Sequence, residues 1–351
     1  MPHWIAKTCA TLLLLLPLVA CTEPTPTGQE GSGQPKGRLA TVLGRGKLIC
    51  GVSGELPGFS FVGQDGKYSG LDVDVCRAIS AALFDNPDAV EYRNLNAKER
   101  FTALQTGEVD VLSRNTTWTL SRDTSVGLDF APIVFFDGQG IMVKQSSNIK
   151  TLADLKDKSI CIQTGTTTEQ NLTDQMQKRG IPYKPVVFED VNTTFATYAE
   201  GRCDGVTADR SQLISRRTTL PNPGEHVILS EVLSKEPLAP AVANGDSAWA
   251  DAVRWTIFSL FEAEELGITS QNISQFASSK DPTVRRFLGT EGELGKGMGV
   301  ANDFAARIVK HVGNYGEIYD RNLGPQTKLN LPRGQNNLWT KGGLLFSPPL
   351  R

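Results

Sequence analysis

Gly107-Glu108-Val109-Asp110-Val111 and Gly201-Arg202-Cys203-Asp204-Gly205 are two copies of one local pattern, and together they decide the fold. In each, a glycine stops a helix and an aspartate stands three residues later, at the entry of an apolar strand. Working back from the first copy, Leu48-Ile49-Cys50-Gly51-Val52 reads as a short strand. Leu71, Val75, Ala78, Ile79, Ala82 and Leu83 then recur at helical spacing, with Asp72 and Asp74 in the first turn, where the helix dipole favours acids. A strand over 89–93 and a helix over 97–105, with Phe101 and Leu104 inward, lead to Gly107 and a strand over 109–112. Two apolar runs follow, over 133–136 and 141–143. Before the second copy the programme repeats: a helix over 152–158, a strand over 159–163, a helix over 168–179 ending at Gly180, a strand over 185–188, and a helix over 194–199 ending at Gly201. The closing strand runs over 203–208. This βαβα order predicts mostly parallel sheets flanked by helices, in two related α/β lobes. Such a pair typically binds a ligand in the crevice between the lobes, at the carboxyl ends of the strands.

Composition narrows the function. A chain of 351 residues fits two lobes at about 100–200 residues per domain. Its 36 Lys and Arg nearly cancel 38 Asp and Glu, for a formal net charge of −2. No basic excess is left to neutralise phosphates, so no nucleic-acid partner is expected. The three histidines, His3, His226 and His311, are far apart in sequence. Neither a His-rich metal site nor a His-based catalytic engine is expected, and no cofactor.

The N-terminus carries a localisation signal. His3, Lys7 and the short apolar run over 11–20 have the layout of a secretory signal peptide over residues 1–20, too short and proline-interrupted for a membrane-spanning helix. Leu18-Val19-Ala20-Cys21 resembles the bacterial lipobox, in which cleavage precedes a cysteine that is then lipidated. The alternative is an ordinary export signal with Cys21 incidental. Acyl chains on Cys21 would anchor the protein to a membrane. Residues 21–37 are rich in Thr, Pro, Gly, Ser and Gln and read as a flexible tether. Removing residues 1–20 deletes Lys7 and no acid, leaving a mildly acidic body.

Beyond Cys9 and Cys21, four cysteines remain: Cys50, Cys76, Cys161 and Cys203. In an oxidising compartment an even number suggests two disulfides. Three pairings are available, and the two-lobed reading favours Cys50–Cys76 and Cys161–Cys203, one per lobe. Four buried free thiols are the alternative. No pair has zinc-site spacing.

Three segments follow the predicted strand ends. The first is Ser113-Arg114-Asn115-Thr116-Thr117-Trp118-Thr119-Leu120-Ser121-Arg122-Asp123, the second Thr164-Gly165-Thr166-Thr167-Thr168, the third Ala208-Asp209-Arg210. Arg122 offers a planar fork of donors suited to a carboxylate. Gly165-Thr166-Thr167 offers backbone N–H groups and hydroxyls at a helix N-terminus, which attracts an anion. Asp209 offers an acceptor for an ammonium. An anion site facing a cation site describes a receptor for a zwitterion, and an α-amino acid is the natural ligand. Taken singly, each has a plainer reading: a helix cap, a surface ion pair for Arg122, a solvated Asp209-Arg210 pair. Their joint placement at strand ends favours the site.

Several stretches carry a resemblance. Among them are Asp72-Val73-Asp74-Val75-Cys76-Arg77-Ala78, Arg100-Phe101-Thr102-Ala103-Leu104-Gln105-Thr106-Gly107, Arg114-Asn115-Thr116-Thr117-Trp118-Thr119, Asp137-Gly138-Gln139-Gly140, Gln163-Thr164-Gly165-Thr166-Thr167-Thr168-Glu169, Ser234-Lys235-Glu236-Pro237-Leu238 and Gly313-Asn314-Tyr315-Gly316-Glu317. With the tail over 338–344, they resemble the general, or polar, L-amino-acid binding proteins of ABC importers, over residues 38–351. The resemblance implies a two-lobed periplasmic binding protein-like type II fold with two hinge strands, lobe 1 being 38–141 plus 237–351 and lobe 2 being 142–236. It also implies that Arg122 and Thr167 hold the α-carboxylate and Asp209 the α-ammonium, helped by Asn115 and Thr117, with Thr166 in the same loop. Leu56, followed by Phe59, stands where shorter relatives carry a stacking tyrosine, which counts against a dedicated basic-amino-acid binder. Glu55 argues the other way, towards a basic ligand, or more plainly reads as a solvated loop residue. Arg114 reads as an outward ion pair or, alternatively, as the partner of an acidic ligand side chain. Trp118 reads as packing or, alternatively, as a wall of the pocket.

The expected partners are a free L-amino acid (polar, acidic or neutral) and an inner-membrane ABC permease with its ATPase. The protein itself is expected to be a monomer in the periplasm or cell envelope, held to the membrane by a lipid anchor. A ligand-sensing module and an exported enzyme are the alternatives. Neither a Gly-x-Ser-x-Gly nor a Walker loop occurs, and no catalytic residue is expected.

Overall fold

The structure is a computed structural model that describes Met1 and residues 37–351. The export segment, Cys21 and nearly all of the expected tether lie outside the described residues.

Two five-stranded sheets form the framework. The first runs in the order Val90–Asn94, Leu48–Val52, Val111–Leu112, Ala241–Ala243, Leu128–Phe130. The second runs Lys184–Phe188, Ser159–Gln163, Gly205–Asp209, Gln139–Lys144, His226–Ile228. In each sheet the first three strands are parallel and the fourth is antiparallel to its neighbours. The sheets therefore share one plan, as the paired glycine–aspartate pattern predicts.

The aspartates of that pattern do the same work in both sheets. Asp110 accepts from the Ile49 N–H at 2.7 Å while its own N–H donates to the Ile49 carbonyl at 2.8 Å. Asp204 accepts from the Ser159 N–H at 2.8 Å and donates back to Ser159 at 2.9 Å. Each aspartate pins the entry of the third strand in that order to the second. Gly107 and Gly201 precede them with φ of 76° and 80°, values a side chain disfavours.

The sheets are joined by two short strands, Phe135–Asp137 and Glu236–Leu238, which pair antiparallel with Glu236 opposite Asp137. After each crossing the chain enters directly as the antiparallel fourth strand of the sheet it reaches, Gln139–Lys144 or Ala241–Ala243. These are the two hinge strands of a type II fold.

Burial follows the strand period. In Gln139–Lys144, Ile141 and Val143 pack with Leu152, Leu155 and Leu172 on one face, while Met142 packs with Phe195, Tyr198 and Val206 on the other. The first lobe has the larger core, built by helices Leu71–Phe84, Ser247–Glu265 and Phe304–Val312. Trp249 is buried there, its indole N–H donating to the Asp110 carbonyl at 2.8 Å. Leu338, Leu345 and Leu350 of the tail close the same core. Disulfides join Cys50 to Cys76 and Cys161 to Cys203, each anchored on a strand of a different sheet.

Some element boundaries differ from the sequence reading. The helix expected over 97–105 is Arg100–Gln105, because the Asn96 side chain accepts from the Lys98 and Glu99 N–H groups and holds a turn there. The helix expected over 152–158 is one 3-10 turn, Leu152–Leu155, with Asp157 at φ 60°. The strand expected over 109–112 shortens to Val111–Leu112.

Candidate functional site

The carboxyl ends of the parallel strands of both sheets meet at one cleft. Leu56, Arg114, Asn115, Thr117 and Arg122 line it from the first lobe, and Thr166, Thr167 and Asp209 from the second. Of the residues expected to bind the ligand, Phe59 alone does not line the cleft. It is fully buried in the first core, edge-on to Phe135 at 5.2 Å, where its apolar ring gains more from packing than from a polar cleft.

Arg122 sits on the short helix Leu120–Thr124, whose N-cap Thr119 accepts from the Arg122 N–H at 3.3 Å. Its Nη1 donates to the Thr117 carbonyl at 2.8 Å, and its guanidinium lies 5.1 Å from the Phe101 ring centroid. Those contacts fix the fork in place, and burial lowers its pKa from the ordinary value.

Across the cleft, Thr166 caps helix Thr167–Lys178 by accepting from the Glu169 N–H, so the first helical N–H groups face the cavity. Gly165 precedes it at φ 74°, and a Cβ there would lie 3.3 Å from the Ala97 carbonyl of the opposite lobe. Glycine lets the lobes approach at this point.

Asp209 ends strand Gly205–Asp209 and starts helix Arg210–Arg217. Burial pushes its carboxyl well above the usual range, and Asp137 and Glu236 push in the same direction, while a hydrogen bond from Asn115 and the Arg100 charge oppose them. Asn115 holds φ 29°, and its N–H donates to Asp72 at 3.1 Å.

Beneath the cleft lies Glu236 of the second hinge strand. Its Oε2 accepts from Thr117 at 2.5 Å and Thr167 at 2.8 Å, and its Oε1 from Asn171 at 2.8 Å and from Ser234. One buried carboxylate thus gathers hydroxyls from both lobes. Nearby Asp137 is pushed up to about 6 by burial.

Sequence reasoning missed Arg100, Gln163, Gln212 and Arg216, which also line the cleft. It read Glu55 as solvated, whereas Glu55 is on the wall, its Oε1 accepting from Asn192 at 2.9 Å. Arg114 is buried, not an outward ion pair. Trp118 stacks on Phe130 at 5.6 Å and packs outside the cleft, as read.

Two lobes on paired hinge strands, with arginine, helix N-terminus and aspartate facing one cavity, define a cleft-binding solute receptor. Residues 48–272 match the bacterial extracellular solute-binding proteins, family 3, and the chain belongs to that family. It is similar to the general L-amino acid-binding periplasmic protein AapJ of Rhizobium johnstonii, at 49% identity over 89% of this chain and 92% of that one. It is also similar to the glutamate/glutamine/aspartate/asparagine-binding protein BztA of Rhodobacter capsulatus, at 48% over 89% and 93%. A solved Brucella ovis ABC transporter/periplasmic binding protein with glutathione bound superposes with a TM-score of 0.87, at 48% identity over 89% of this chain and 99% of that one.

Proposed function

We propose that the chain is the extracytoplasmic substrate-binding component of an ABC importer and captures L-amino acids in the interlobe cleft. The observation that carries this reading is the opposition of Arg122 and Asp209, buried on walls contributed by different lobes. Arg122, Thr167 and the helix N-terminus at Thr166 take the α-carboxylate, while Asp209 and Asn115 take the α-ammonium. The amino-acid binding named for the AapJ and BztA relatives supports this class of ligand. A ligand that touches both lobes binds the closed form better than the open one and so shifts the population towards closure.

The finer parts of the proposal are an export signal over 1–20, lipid attachment at Cys21, a monomeric receptor, and delivery to a permease with its ATPase. The lobes divide at the paired strands Phe135–Asp137 and Glu236–Leu238. A thermal-shift screen of the twenty amino acids tests the reading, since a ligand specific for the folded form raises its melting temperature. Stabilisation by L- but not D-isomers is the expected result; no shift with any amino acid contradicts it.

A further inference from the structure

The cleft wall carries four guanidiniums, of Arg100, Arg114, Arg122 and Arg216, against two carboxylates, Glu55 and Asp209. A zwitterionic amino acid head uses Arg122 and Asp209 and brings no net charge. Three arginines remain. Arg216 is engaged: its Nη1 donates to the Glu55 carbonyl at 2.9 Å and its Nη2 to Asn192 at 2.5 Å. Arg100 donates to Thr116 at 3.2 Å and lies over Phe101.

Arg114 differs from both. Among the described residues its side chain makes one hydrogen bond, from Nε to the Leu95 carbonyl at 2.7 Å, and no ion pair. That bond holds the stem and leaves the two terminal nitrogens for the cavity that Arg114 lines. The residue is 6% exposed. Asp72, the opposing charge that acts most strongly on it, is committed to the Asn115 N–H and does not line the cleft. A buried guanidinium with uncommitted donors is costly until an anion meets it.

We infer that Arg114 is a specificity-determining residue whose terminal nitrogens take a second carboxylate, so that the cleft prefers L-amino acids with an acidic side chain. This rests on the amino-acid reading above and deepens it. Arg122 fixes the α-carboxylate, and Arg114, eight residues earlier in the segment that leads into the Arg122 helix, puts the second donor set on the same lobe's side of the cleft. Glu55 is a charge neighbour of both Arg114 and Arg216. It borders this end of the cleft and disfavours a second carboxylate that strays from Arg114.

The test compares L-glutamate with L-glutamine, near-isosteres that differ in charge, by calorimetric titration of the full chain at pH 7. The wild type is expected to bind glutamate about tenfold or more tightly than glutamine, the range of one charge-assisted pair. In Arg114→Met the ratio is expected to fall to about one, with Arg114→Lys between them. Glutamine bound as tightly as glutamate by the wild type overturns the inference, and so does an unchanged ratio in Arg114→Met. Because the wild-type ratio needs no variant, a misfolded Arg114→Met would leave the inference testable. L-Serine and L-alanine serve as references: if they bind while the ratio is flat, only the role of Arg114 falls. If no amino acid binds, the proposed function falls with it.

Discussion

The hydroxyl of Ser215, in the second lobe, donates to the carbonyl of Pro57, in the first, at 2.7 Å. Ser215 belongs to the helix that Asp209 starts, and Pro57 to the loop that carries Leu56. The lobes therefore touch directly. Asn192 to Glu55 and Lys98 to Glu189 at 2.5 Å extend this contact.

These direct bonds add to the energy of closure. A hydrogen bond of this kind contributes about 0.5–1.5 kcal/mol net. Ser215→Ala is expected to weaken amino-acid affinity by about two- to tenfold. Small-angle scattering should show a larger radius of gyration at sub-saturating ligand. Affinity and radius equal to the wild type would show that the contact does not bias closure.

Glu236 organises the hinge from both sides. Replacing it by glutamine halves its acceptor capacity: an amide oxygen at the Oε2 place keeps the Thr117 and Thr167 hydroxyls, but its NH2 then faces the Asn171 amide donor, which loses its acceptor. An unsatisfied buried group costs about 1–3 kcal/mol, so Glu236→Gln should melt several degrees lower. An unchanged melting temperature would mean that water substitutes fully for the carboxylate.

Acid pH should raise one component of stability. Burial pushes the Asp72 carboxyl up to about 6, against the Asn115 N–H and Arg114, which pull it down. Between its ordinary pKa near 4 and this value the folded state binds more protons than the unfolded one, so stability falls as pH rises through that window. Asp72→Asn removes the dependence. The check is the difference in urea midpoint between pH 4.5 and pH 7, which should shrink in the variant.

The disulfides close loops with separations of 26 and 42 residues. Each is expected to contribute about 2–4 kcal/mol, mainly by constraining the unfolded chain. Paired Cys→Ser substitution at 50/76 or 161/203 should lower the urea midpoint accordingly, with the second pair not smaller in effect than the first. An unchanged midpoint in either double variant would contradict this.

The parallel part of each sheet was legible because its strands and helices alternate with clear periods and glycine stops. The antiparallel fourth strand was not, since the partner of Ala241–Ala243 is set by the hinge crossing rather than by local pattern. The placement of Arg122, Thr167 and Asp209 on the cleft wall was legible because each lies at or after a strand end. Arg100 escaped because helical periodicity marked Phe101 and Leu104 as the inward residues. Its guanidinium turns inward only when Phe101 and the Arg114 loop are in place. Arg216 lies near the end of a helix and reaches the cleft over the Phe195 ring of another. Phe59 was misread because proximity to the binding loop in sequence does not tell which way a side chain packs.

The central claim is that Arg122 and Asp209 grip opposite ends of one amino acid. Calorimetric titration of the wild type, Arg122→Ala and Asp209→Ala with L-glutamate tests it most directly. The account predicts saturable one-to-one binding by the wild type and none measurable in either variant, with both variants still folded by circular dichroism. Undiminished affinity in either folded variant would contradict it.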